Sequence, residues 1–333
     1  MAKPTNVVGW SPSNTTTEPP AGVKTTGWDA GEQPPFEYFN WIHKTISDWQ
    51  DYLDDTYDVS TSNVYIGEST GSTTLGVDDI GIGYQSLYSK TNSLTKAIGI
   101  GNLALRTASS GSNLVAIGYK ALNSSNGDNN ITAVGSYAGE NYTASGGTMI
   151  GAFAAQNNTG SSNFVAIGYR AAVSATVLTG SVAIGYEALN TATAGGYSVA
   201  VGYQALNTCD GTGNIGIGYQ AGDLISSGTH NIAIGYQAAP ALTTGNQNIC
   251  IGKDSTIAAG ATNSIAIGSA AQCDSGNCIA IGNGVIAATV NDIVIGTSTH
   301  DSFKLMGNTG VASFGPSAVT SITVKHGIIT AIS

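Results

Sequence analysis

Charge is scarce in this sequence: 11 Lys and Arg and 21 Asp and Glu together make only 10% of 333 residues. With so few cations, and none of them clustered, no basic patch exists to track a phosphate backbone, which argues against nucleic-acid binding. The acidic surplus is uneven. Residues 1–60 hold nine Asp or Glu against three Lys and so carry -6 of the total -10, leaving the remainder nearly neutral at -4. An apolar fraction of 41% nonetheless excludes an ordinary charge-rich disordered chain. Cysteine is also sparse, and Cys209, Cys250, Cys273 and Cys278 show no C-x-x-C pairing of the kind a zinc site needs. Cys250 reads as a small apolar core residue, whereas Cys273 and Cys278 flank one short turn, and spacing alone does not decide whether they are bonded. His43, His230, His300 and His326 are scattered without a metal-spaced pair, so no metal or cofactor is expected. No apolar run reaches the length of a membrane span. The opening Met-Ala-Lys-Pro-Thr-Asn lacks the three parts of a signal peptide, so the expectation is a chain made and kept soluble, without membrane insertion.

What the sequence does have is glycine, 45 of them, and one phrase repeated. Ser181-Val-Ala-Ile-Gly-Tyr-Glu-Ala-Leu189 is followed by Ser198-Val-Ala-Val-Gly-Tyr-Gln-Ala-Leu206. Its marker glycine recurs fifteen times from Gly67 to Gly296, in steps of 14 to 18 residues with 17 the commonest. A period that short, held that long, predicts a solenoid in which no coil can bury its apolar face without its neighbours. The residue before the marker is always Ile or Val, and so is the one three before it except at Thr132 and Thr148. In most copies a small residue sits between them, as at Ala116, Ala183, Gly216 or Cys250. In a strand this alternation sends the branched pair to one face and the small residue to the other, with neither face charged. Both faces are therefore expected to be buried in a stacked parallel sheet, one in the coil interior and one against a partner surface, most simply another copy of the chain.

The flanks read differently. Residues 1–35 hold most of the eight prolines and should be extended. Gln33-Pro-Pro-Phe36 then opens a predicted helix running to Tyr57. On it Phe39, Ile42, Ile46, Trp49 and Leu53 are spaced 3, 4, 3 and 4, a short heptad seam suited to trimerisation or to packing within its own domain. Beyond Gly296 the rhythm stops, and Ser321–Ser333 alternates in period two around His326-Gly327, predicting a terminal hairpin that caps the last coil. Three regions are thus expected: 1–59 an attachment segment with a helix, 60–296 the repeat shaft and 297–333 a small β cap.

Seven copies carry Tyr after the marker, five of them consecutive from Tyr169 to Tyr236. Such a ladder reads as packing between coils, with a sugar-binding strip as the alternative. The next position, Lys120, Arg170, Glu187, Gln204, Gln220 and Gln237, reads as a solvent-facing row. Catalytic groups are harder to find. Left-handed hexapeptide acyltransferases also repeat Ile-Gly, but they count in sixes and need a catalytic histidine, whereas this repeat holds only His230. Glycan hydrolysis needs two carboxylates a few ångströms apart, and acidic residues are sparse along the coils, with Asp78-Asp79 reading as a solvated turn pair. No enzyme is expected.

The Ser-Val-Ala-Ile-Gly-x-x-Ala phrase, at Ser181 to Ala188 and in variant form at Asn231 to Ala238, resembles the head repeat of trimeric autotransporter adhesins. That resemblance covers about 230 residues and implies a left-handed parallel β-roll packed as a homotrimer. Neither a signal peptide nor membrane-anchoring strands of that family are found. The segment Gly27-Trp-Asp-Ala-Gly-Glu-Gln-Pro-Pro-Phe-Glu-Tyr-Phe-Asn-Trp41 is similar instead to one near the start of bacteriophage tail fibre proteins. This implies attachment to a tail or baseplate protein through Trp28, Pro34, Pro35, Tyr38, Phe39, Asn40 and Trp41. The resulting expectation is a homotrimeric virion tail fibre, made in the host cytoplasm, that binds a host surface glycan or protein receptor. A bacterial surface adhesin passenger and a glycan-degrading tailspike are the alternatives. Because coil strands must repeat in order to stack, host contact is expected on the edge loops or on Thr297–Ser333.

Overall fold

The computed structural model describes residues 63–71, 77–88, 94–108, 110–125 and 128–296, and the backbone of 322–325 and 328–332. The predicted helix, the heptad seam and every expected virion-attachment residue lie outside these. The described residues are mainly β, a parallel β-solenoid of about 13 turns, against the fifteen coils implied by the glycine count. The connections between its first three strands run partly through residues outside the described set.

The chain divides into two compact units at Gly146/Gly147. In the first, β1 (Val64–Ile66), β2 (Ile80–Ile82), β3 (Leu94–Ile100), β4 (Gly111–Ile117) and β5 (Asp128–Val134) pair in sequence order, all parallel. In the second, β6 (Thr148–Ile150), β7 (Val165–Ile167), β8 (Val182–Ile184), β9 (Val199–Val201), β10 (Ile215–Ile217), β11 (Ile232–Ile234) and β12 (Ile249–Ile251) do the same. From there the coil changes. As the step shortens to 16 and then 14 residues, β14 (Ile265–Ile267), β16 (Ile279–Ile281) and β18 (Ile293–Ile295) continue the first sheet, while β13 (Thr256–Ile257), β15 (Gln272–Cys273) and β17 (Ile286–Ala287) build a second. Finally β19 (Ile322–Lys325) and β20 (Ile328–Ile332) pair antiparallel.

Register is strict: Val182 lies beside Val199, Ala183 beside Ala200 and Ile184 beside Val201. The small middle residue points into the coil, where Ala166, Ala183, Ala200, Ala233 and Cys250 are buried, against a wall of Ala188, Leu189, Ala205 and Leu206. Volumes are matched across this narrow interior. A side chain on Gly216 would meet Leu206 Cγ at 2.6 Å, so the glycine there makes room for the leucine. The branched pair points outward and is only half-buried, at β8 as at most other strands. The interior face is buried as expected, and among the described residues of the single chain the outer face is left only half-buried.

Two backbone devices turn the chain. The marker glycine has a positive φ, +135° at Gly235, and a Cβ there would lie 2.6 Å from the carbonyl oxygen of Gly252 in the next coil. Only glycine satisfies both conditions. After it come alternating left-handed residues, such as Gln204 (φ 49°) and Leu206 (φ 48°). The alternation directs successive N–H groups along opposite senses of the solenoid axis. Gln204 N–H donates to Tyr186 O of the previous coil at 2.8 Å, and Leu206 N–H to Ala221 O of the following one at 3.0 Å. Each coil is thereby tied to both neighbours even where it is not strand, which satisfies backbone groups that would otherwise be buried unpaired.

The residue that opens the phrase builds a second ladder, inside. Ser181, Ser198, Asn214, Asn231, Asn248 and Ser264 are all buried. The Asn214 side-chain oxygen accepts from Asn231 N–H at 2.9 Å and from Asn231 Nδ2 at 3.1 Å; Asn231 does the same for Asn248, at 3.0 Å in both bonds. The remaining amide hydrogens go to turn carbonyls, as from Asn231 Nδ2 to Gly245 O at 2.8 Å. In the first unit Asp79 occupies the same position and is buried, its carboxylate accepting from Ala97 N–H at 2.9 Å. The reading of Asp78-Asp79 as a solvated pair holds for Asp78 alone, because Asp79 has been recruited to tie one coil to the next.

Candidate self-association face

In the second unit the outward side chains of five consecutive coils form rows of three: Val165, Ile167 and Tyr169 through to Ile232, Ile234 and Tyr236. The two branched files run on through β12, β14 and β16 to β18, where Ile293 and Ile295 are 67% and 53% exposed. Neither file carries a charge. Nine strands about 4.8 Å apart, with two to three side chains across, give a strip on the order of 500 Å², toward the upper end of what a soluble chain leaves open to water on its own.

The tyrosines along its margin are 40–48% exposed, and they stack. Ring centroids are 5.5 Å apart for Tyr169–Tyr186, 4.9 Å for Tyr186–Tyr203, and 5.0 Å for both Tyr203–Tyr219 and Tyr219–Tyr236; the last three pairs are within 8° of parallel. Both ends are closed, by the edge of Phe153 at 5.8 Å from Tyr169 and by Lys253 Nζ at 5.9 Å from the Tyr236 ring. Ring faces inside the ladder are therefore used up by each other, and what it presents outward is ring edges. This geometry favours packing between coils over a strip on which sugars stack.

Alongside runs a ladder of polar side chains. Gln204 Nε2 donates to Glu187 Oε2 at 2.9 Å, Gln220 to Gln204 at 3.0 Å and Gln237 to Gln220 at 3.2 Å, while Arg170 Nε lies 3.7 Å from Glu187. Apart from Arg170, which is exposed, these side chains are half-buried and bonded to one another, not the freely solvated row their varied charge suggests. In the first unit the equivalent positions are mixed. Tyr119 and Tyr137 meet edge to face at 5.1 Å, and Lys120, 3.3 Å from Glu140, sits 5.4 Å from the Tyr137 ring.

Of the histidines only His230 is described, and it is exposed. Among the described residues no cluster of His, Cys, Asp and Glu could hold a metal, and no helix is long and apolar enough to cross a membrane. All four thiols are buried and unbonded, Cys273 and Cys278 included. Burial pushes the Cys209 thiol up to about 11, and the Cys250 and Cys273 thiols up to about 12. At neutral pH they are protonated and act as small apolar fillers.

No protein-family model matches the chain, and no curated protein matches it significantly.

The interior Asn and Ser ladder went unread in the sequence, although its signal was present. A Ser or Asn opens the phrase in every coil from Ser181 to Ser264, and the three residues that follow it are apolar each time.

Proposed function

We propose that the chain is a structural tail fibre of a bacteriophage virion, in which three copies bury the Ile/Val strip against one another and the distal parts contact the host surface. The observation that carries the self-association is the uncharged, half-exposed strip, whose 4.8 Å repeat is best matched by the same strip on another copy of the chain. Three copies, rather than two, come from the likeness of the repeat to the heads of trimeric adhesins. Assignment to a virion comes from Gly27–Trp41 and its similarity to the attachment segments of tail fibres. The function proposed is mechanical and adhesive, not catalytic, and partners are expected at the two ends: a tail or baseplate protein at residues 1–59 and a host receptor distally. Mass spectrometry of purified virions tests the assignment. The chain should be recovered in structural stoichiometry, a multiple of three per particle, and its absence from virions that carry its gene would overturn the reading.

A further inference from the structure

Immediately before the buried Ser/Asn ladder, the described coils place one residue in the left-handed region, and most fill that position with Asn, Asp or Gly. Asn113, Asn130, Asn163, Asn263, Asn277 and Asn291 have φ of 54–69°, and Gly146, Gly180 and Gly213 have φ of 69–75°. Asn and Gly are the residues this conformation admits at least cost. Lys96, Tyr197, His230 and Gln247 depart from this, at φ 57–59°, and Tyr197, at 71%, is the most exposed large apolar side chain described.

The surroundings fit a ring kept flat and open. Tyr197 lies over Gly180 of the preceding coil, where a Cβ would come within 2.9 Å of ring carbon Cδ1. In the following coil the same position is Gly213, which adds no side chain of its own beside the ring, and most of Tyr197 stays open to water. His230 repeats the arrangement one step further on: its imidazole lies over Gly213, where a Cβ would be 3.0 Å from Cδ2, and it too is exposed. Two coil steps separate the rings, about 10 Å. Around them the loops are small or polar: Thr179, Gly196, Thr212 and Thr229.

We propose that Tyr197 and His230 form a carbohydrate-binding platform on the edge loops, each ring taking the apolar face of one sugar in an extended glycan. The ladder tyrosines cannot do this, because their faces are covered; Tyr197 has the free face that stacking on a pyranose ring requires. Protein interfaces are built on contiguous apolar cores, whereas these are isolated rings in a polar, glycine-lined setting. Two coils match about two sugars of an extended chain, so the platform suits a linear polysaccharide better than a terminal monosaccharide. The proposal rests on the host-attachment reading and gives its receptor a chemical class.

Tyr197→Asn tests it, since Asn is what the chain itself uses at this position in six other coils. The full-length variant should keep the parent's mass in solution and melt at the same temperature or slightly higher. On an array of immobilised bacterial polysaccharides the parent should be retained, Tyr197→Asn should bind at least tenfold more weakly, and Tyr197→Trp should still bind. Retention of Tyr197→Asn equal to the parent's overturns the proposal. So does a parent that binds no polysaccharide, or binding that survives periodate oxidation of the arrayed sugars. None of these results alters recovery of the chain from virions, so failure of the platform and failure of the fibre reading are separable.

Discussion

At the scale of single residues, stability in the second unit depends on side chains that satisfy one another from coil to coil. Asn231 is the clearest case, accepting from Asn248 and donating to Asn214 and Gly245 within a buried file. Asn231→Asp removes the donor and sets a carboxylate oxygen against the Gly245 carbonyl. It should cost about 3 kcal/mol in chemical denaturation, and an unchanged midpoint would show that the ladder contributes little. The buried thiols set a pH limit. The folded state holds the Cys250 thiol protonated up to about 12, whereas in the unfolded chain it ionises near 9. This thiol's contribution to stability is therefore fully present below about pH 9 and is lost as pH rises from there toward 12, because only the unfolded state releases the proton in that window. Cys250→Ala, the residue its neighbours use, should flatten this alkaline loss as followed by thermal melts at stepped pH. A decline as steep as the parent's would assign the loss to other groups.

At the scale of the element, each three-residue strand is too short to persist alone and is defined by its place in the ladder. The marker glycine is the least replaceable part. Gly235→Ala must strain a φ of +135° and separate two coils whose backbones are in contact, at a cost of about 3 kcal/mol or more; wild-type melting of this variant would contradict the turn geometry. The strands themselves were legible in the sequence, because an Ile/Val pair around a small residue before a glycine allows one pleat and one break. Which face pointed inward was not legible. Both were uncharged, and the choice is made by volume: inside the narrow coil Gly216 leaves room for Leu206, where a branched side chain would not fit. The left-handed residues were equally hidden, since Gln204 and Leu206 are poor markers of that conformation and adopt it only because alternating N–H directions let each coil bond to both neighbours.

At the scale of the whole molecule, the repeat made the solenoid readable from the sequence, while the segments that set attachment, Trp28 to Trp41 and Phe39 to Leu53, rest on likeness and helical spacing alone. Repetition is also what makes the outer face a strip: a sequence that stacks its interior in register must stack its exterior too, so one outward Ile becomes a file of them. Charge placed in that file tests the consequence. Ile217→Lys with Ile234→Lys leaves both buried strand centres, Gly216 and Ala233, untouched, so circular dichroism should stay that of a β-solenoid while the assembly dissociates into single chains. Persistence of the parent's oligomer in this double variant would place the interface elsewhere. Most directly, light scattering on the purified full-length chain measures whether the strip is covered by its own copies. We predict a single species of three times the 33.6 kDa chain mass that does not dissociate on dilution; a stable species of 33.6 kDa would contradict the account.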